Sequence, residues 1–124
     1  MTLLNDFFHI LSADIQETEW NFKVELSPDH AIFKAHFPDI PVVPGVCQLG
    51  MVRELLSSRL GQPLLLSHIQ NIKFMNIISP KDDAAFFLRL SKFAFSDGVF
   101  RLNAVIDNEN AVFSKMSVSF VPKT

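Results

Sequence analysis

Tyrosine is missing from this chain of 124 residues, and cysteine and tryptophan occur once each. The lone cysteine, Cys47, excludes an internal disulfide. No apolar run approaches the roughly 20 residues that a membrane-spanning helix needs. No basic flank precedes the apolar residues at the N-terminus, as a secretory signal would require. The expected location is therefore the cytoplasm, with no membrane partner. Charge is in short supply as well. A net charge of −2 and a pI near 6.0 argue against a nucleic-acid binder held by phosphate contacts. His, Cys, Asp and Glu never gather at metal-ligand spacing, so no metal and no other cofactor is expected. Repeats, low-complexity tracts and long linkers are also absent, which leaves one domain over residues 1–124.

What the chain has in quantity is phenylalanine, 13 in all, in a composition that is 48% hydrophobic and 19% charged. That balance marks a folded globular chain. Phenylalanine without tyrosine supplies aromatic volume with no hydroxyl to satisfy. Most of it is expected in the core; periodicity alone does not separate core from the wall of an apolar channel.

Taken in order, Thr2 to Leu11 reads as a short helix. Its broad apolar surface, from Leu3 and Leu4 to Ile10 and Leu11, has to be covered. Trp20 to Ser27 alternates, with Trp20, Phe22, Val24 and Leu26 on one face, and so reads as a strand with one buried side. Ser27-Pro28-Asp29-His30 ends it as a turn and leaves His30 in a solvated loop. Val46 to Leu60 is free of proline. Val46, Leu49, Met51, Val52, Leu55, Leu56 and Leu60 cover more than half of its helical circumference, so this helix is enclosed by other structure. Gly50, Arg53, Glu54, Ser57 and Ser58 fill the rest. Gly61-Gln62-Pro63 stops the helix. Strands follow over Leu64–Ile78, Ala84–Phe95 and Val99–Ile106, with a final one marked by Val112, Met116, Val118 and Phe120. The last three form an antiparallel meander. One enclosed helix and roughly five antiparallel strands predict an α+β fold in which a sheet wraps a helix.

The chain is organised around Phe33 to Glu54, FKAHFPDIPVVPGVCQLGMVRE. Pro38, Pro41 and Pro44 recur every three residues. Each fixes its own φ and moves the preceding residue out of the α region, so the stretch is a stiff extended loop. It delivers His36 toward a helix that begins at Pro44-Gly45. A helix start offers unpaired N–H groups that polarise a carbonyl or hold an anion, and a histidine beside it can act as a general base near neutral pH.

His36-Phe37-Pro38, Pro41 and Pro44-Gly45-Val46 resemble the signature of the beta-hydroxyacyl-acyl-carrier-protein dehydratases of fatty-acid synthesis, His-Phe-Pro-x-x-Pro-x-x-Pro-Gly-Val followed by an acidic residue on the helix. Phe33 also fits, and Ala35 stands where the family usually has Gly. Lys73-Phe74 with Ile77, Pro80 and Asp82 is similar to a second family segment, with Lys81 in place of a Gly and Ile77 in place of a Pro. The resemblance implies the hot-dog fold. It also implies a homodimer in which the helix of the partner subunit supplies the acid.

Removing water from a 3-hydroxyacyl thioester needs a base at C2, an acid for the leaving hydroxyl, and donors for the thioester oxygen. By the resemblance His36 is the base, and the N–H groups near Gly45 and Val46 are the donors. Phe37, Pro44, Gln48 and Gly50 complete the expected substrate-binding set. The family's acid falls on Gly50, which has no side chain. Glu54 lies one helical turn further on, about 6 Å along the axis, and is the expected relocated acid. The substrate is then an acyl thioester of acyl carrier protein or coenzyme A. The competing expectations are a non-catalytic hot-dog subunit that binds an acyl chain or partners an active homologue, a hot-dog thioesterase, and a plain dimerisation module. An apolar cavity is expected to begin near His36 and run beside the helix, with Phe side chains on its walls.

Overall fold

In the computed structural model, which describes residues 2–124, the chain runs through strand β1 (Phe8–Ile15), strand β2 (Glu19–Leu26), a short helix α1 (Ala31–Ala35), the long helix α2 (Gly45–Leu60), and strands β3 (Leu64–Phe74), β4 (Ala85–Ser96), β5 (Val99–Asp107) and β6 (Val112–Pro122). The strands form one sheet in the order β1-β2-β4-β5-β6-β3. Every neighbouring pair is antiparallel.

Alternation decides which side of the sheet is covered. Phe22, Val24 and Leu26 on β2, Phe86, Leu88 and Leu90 on β4, Leu102, Ala104 and Ile106 on β5, and Met116, Val118 and Phe120 on β6 are all buried. The register stacks them across the sheet, Phe22 opposite Leu88, Leu90 opposite Ala104, and Ala104 opposite Met116. They form one apolar cluster with Met51, Val52, Leu55 and Leu56 of α2. Burying each large side chain is worth about 1.5–3 kcal/mol, so this shared core, more than local propensity, holds the helix against the sheet. Phe7, Phe8, Phe22, Phe33, Phe86, Phe113 and Phe120 are buried in it, as the tyrosine-free composition leads one to expect.

α2 begins directly after Pro44, whose backbone is extended (φ −60°, ψ 149°), and ends at Gly61 in the left-handed region at φ 68°. The Gly61 N–H donates to the Ser57 carbonyl at 2.9 Å. Here only glycine escapes the cost of positive φ.

Three local expectations are corrected. Thr2 to Leu11 is not a helix. Asn5 takes a left-handed conformation (φ 67°), and the N–H groups of Asp6, Phe7 and Phe8 all donate to the Leu3 carbonyl, which closes a tight turn. The chain then enters β1, which pairs with β2 from Phe8–Leu26 to Ile15–Trp20. The sheet therefore has six strands, because the open edge of β2 recruits this segment. His30 is not a free loop residue. Its Nδ1 accepts from the Ile32 N–H (3.1 Å) and caps α1, while its Nε2 sits 3.0 Å from Asp6 Oδ2. On α2, Val46 lies outside the core at 74% exposure, whereas Glu54 is buried.

β3 ends at Phe74 and forms one edge of the sheet, paired only with β6 among the described residues. Apart from Leu64 and the half-buried Ile72, its residues are exposed on both faces. No helix of the described chain is long and apolar enough to cross a membrane.

Candidate active site

The loop between α1 and α2 builds the site. The His36 N–H closes α1 by donating to the Ile32 carbonyl (2.9 Å), and the His36 carbonyl accepts from Val42 (2.8 Å). His36 to Val42 is thus a closed excursion whose two ends meet. Val43 donates in turn to Ile78 (3.0 Å), which fastens the loop to the segment after β3. The His36 ring is exposed and touches the equally exposed Phe37, at a centroid distance of 5.7 Å.

A cleft of about 590 Å³ opens where this loop meets α2, lined by Val42, Val43, Pro44, Gly45, Gln48 and the stretch Phe74–Ile77. Its walls are mostly apolar. Cys47 and Gln48 both donate their N–H to the Pro44 carbonyl, whereas those of Gly45 and Val46 have no acceptor among the described residues. They are the free donors of a helix start. Gly45 packs closely: a Cβ there would stand 2.7 Å from Phe74 Cζ and would have to displace that ring. The ring of Phe74 therefore lies directly on the first helical residue.

Gln48 lines the cleft although it is only 3% exposed. Its Oε1 accepts from Ser114 Oγ on β6 (2.8 Å), and its Nε2 makes one long bond to the Val43 carbonyl (3.4 Å). Further along α2, Val46, Leu49, Gly50, Arg53, Leu66 and Phe120 line a smaller, nearly apolar groove of about 180 Å³.

Phe37, His36, Val46, Gly50 and Glu54 do not line the cleft; Val46 and Gly50 line the smaller groove instead. The cavity begins at Val42, not at His36, because the loop folds back on itself before reaching α2, and Phe74 is the only phenylalanine on its wall. Glu54 is committed elsewhere. Its carboxylate accepts from the Leu3 N–H with both oxygens (2.9 Å each) and from the Leu4 N–H (2.9 Å), with Arg53 Nη2 at 3.6 Å. Two backbone donors, the N–H groups of Leu3 and Leu4, hold it against the N-terminal turn. Leu3 also covers Gly50: a Cβ at that position would meet Leu3 Cδ1 at 3.0 Å.

Cys47 is buried and burial pushes its thiol up, away from the reactive thiolate. His9 pairs with Glu25 at the surface (3.2 Å), and His68 is exposed on β3. No cluster of metal-ligating side chains occurs among the described residues. Ser114 was not anticipated from sequence. Its signal was a serine at the inward parity of the last strand, in step with Met116 and Val118.

A six-stranded antiparallel sheet packed on one long helix, with a cleft at the helix start, defines a hot-dog fold. The chain belongs to the ApeI-like family, described as ApeI dehydratase, whose sequence model matches residues 12–116. It is 29% identical over 99 residues to the 3-hydroxyacyl-[acyl-carrier-protein] dehydratase FabZ of Latilactobacillus sakei subsp. sakei (strain 23K), a span of 74% of this chain and 71% of that protein. Its fold is similar to the dehydratase heterocomplex ApeI:P from Xenorhabdus doucetiae, at 18% identity and TM-score 0.71 over 90% of this chain and 96% of that one. It is also similar to yhdA from Lactococcus lactis, described as a thioesterase, at 16% identity and TM-score 0.64 over 96% and 95%.

Proposed function

We propose that this chain is a dehydratase-type subunit that binds 3-hydroxyacyl thioesters, carried by acyl carrier protein or coenzyme A, and eliminates water across C2 and C3. The observation that carries this reading is the cleft. It places the free helix-start N–H of Gly45 and one buried amide among apolar walls, which suits a polar thioester on an apolar chain. His36 stands at the far end of the same loop, its carbonyl bonded to Val42 on the cleft wall. In this reading His36 takes the C2 proton, the C–H electron pair forms the C2–C3 double bond, and the C3–O bond breaks. In the same reading the protonated imidazole returns that proton to the departing hydroxyl, which leaves as water. The Gly45 and Val46 N–H groups hold the negative charge that builds on the thioester oxygen.

The reading includes a homodimer. β3 exposes Leu65, Leu66, Ile69 and Phe74 along an unpaired edge, and an open apolar edge invites pairing with a second copy.

A second reading, a non-catalytic acyl-binding or partner subunit, is favoured by one observation: Gly50 lies beneath Leu3, and Glu54 is bound to the backbone. The ApeI:P neighbour is itself a heterocomplex.

A mass-spectrometric assay over a panel of 3-hydroxyacyl thioesters decides between the two. Water loss that vanishes in His36→Ala supports the dehydratase. An inert native protein that gains turnover in Gly50→Asp/Leu3→Ala supports the binding subunit. Hydrolysis without water loss would move the chain to the thioesterases.

A further inference from the structure

Gln48 is a polar side chain, more than nine-tenths buried, on the floor of an apolar cleft. Its surroundings settle which way its carboxamide points. Ser114 Oγ, fully buried on β6, donates to Oε1 at 2.8 Å. The opposite orientation would turn Oε1 toward the Val43 carbonyl, acceptor against acceptor. Nε2 therefore faces Val43, and that contact is long, 3.4 Å. A carboxamide nitrogen carries two N–H donors. Here one is weakly engaged, and the second has no acceptor among the described residues. A buried donor left without an acceptor is unfavourable, and a ligand oxygen in the cleft would supply one.

We propose that Gln48, held by Ser114, donates its free N–H to the carbonyl oxygen of the acyl thioester and completes an oxyanion site begun by the Gly45 and Val46 N–H groups. This rests on the thioester reading above and adds to it a specific donor and a positioning residue. Gln48 sits on the first turn of α2, three residues after Gly45, and the same cleft is lined by both. Val42, Val43, Met75 and Ile77 supply the apolar surroundings in which such a hydrogen bond gains strength. Ser114 does not reach the cleft. It accounts for a hydroxyl that would otherwise be misplaced in the core, since it keeps the carboxamide from turning its oxygen toward the substrate oxygen.

The test uses the full chain and a decanoyl pantetheine thioester labelled with 13C at the carbonyl. This saturated probe lacks the 3-hydroxyl and cannot lose water. Isotope-edited infrared spectroscopy reads hydrogen bonding to the carbonyl as a shift to lower frequency. The native protein should show the shift. Gln48→Met, close in shape and without donors, should lose most of it, and Ser114→Ala should broaden and reduce it as the carboxamide gains freedom to rotate. Gln48→Met/Ser114→Ala removes both polar partners together, which spares the fold an unpaired hydroxyl, and should also lose the shift while still binding the probe. On a 3-hydroxyacyl substrate, loss of one oxyanion donor should lower kcat by about 10²-fold with less change in KM. A full shift retained in both Gln48 variants would overturn the inference and leave the thioester reading standing. A native protein that binds no acyl thioester would overturn both.

Discussion

Replacing Glu54 by Gln separates two roles for one residue. The carboxylate accepts from two backbone N–H groups, that of Leu3 shared between both oxygens and that of Leu4 on one, while only 8% exposed. Hydrogen bonds to a charged group are worth about 1.5–3 kcal/mol each at most, and neutral ones about half. Glu54→Gln should therefore lower stability by about 2 kcal/mol in a urea titration, with turnover per folded molecule unchanged. A fall in turnover by about 10²-fold at unchanged stability would restore the acid role. His36→Ala should do the reverse: its ring is exposed, so stability stays within about 0.5 kcal/mol while activity disappears. Cys47 offers a third check. Burial raises its thiol pKa, so at neutral pH less thiolate is present than in a free cysteine, and Ellman's reagent should label it only as the chain unfolds. Rapid labelling of the folded protein would contradict the burial. Helical spacing made Glu54 the natural substitute for Gly50, but spacing along one helix is blind to Leu3, which lies 51 positions away in sequence and supplies the donors that claim the carboxylate.

At the scale of elements, what was legible followed periodicity and punctuation. The alternation of Trp20 to Ser27 became β2, and the proline-free run after Pro44 became α2, stopped at Gly61. The N-terminal segment misled because Leu3, Leu4, Phe7, Phe8, Ile10 and Leu11 fit a helical face. Its strand character comes from pairing with β2, and the turn that starts it depends on positive φ at Asn5, which asparagine tolerates but does not announce. The cleft was partly legible: Pro44, Gly45 and Gln48 line it, but Met75 and Asn76 reach it only because Met75 bonds to Phe113 across the sheet end. Gly61→Ala tests the helix stop. No atom lies within 4 Å of the position an added Cβ would take, so the cost is purely conformational, about 1 kcal/mol, read as a lower midpoint of thermal unfolding. Gly45→Ala is different in kind. Its methyl meets the Phe74 ring at 2.7 Å, so it should displace that ring and weaken thioester binding while α2 stays intact by circular dichroism.

At the scale of the whole molecule, the proposed homodimer places the burden on β3. Leu65, Leu66 and Ile69 are large and exposed on that edge strand. Leu66→Lys/Ile69→Lys should set charges along the edge and yield a monomer by light scattering at micromolar concentration. A native chain that is already monomeric there would remove the homodimer. The layout of a sheet around a helix was legible from one chain's pattern; how copies or partners share it was legible only through family resemblance, since periodicity carries no information about a second chain.

The contact between Leu3 and Gly50 also makes substitutions at the two positions interdependent. A carboxylate arriving at position 50 adds atoms on a side where Leu3 Cδ1 already stands 3.0 Å from the added Cβ, and Leu3 is held there by Glu54. The acid is thus a poor single step from the present sequence, while trimming Leu3 first is permissive. A double-mutant cycle on Leu3→Ala and Gly50→Asp should show this coupling as non-additivity, with the pair more stable than the sum of the single changes predicts. Strict additivity would mean that the two positions do not interact.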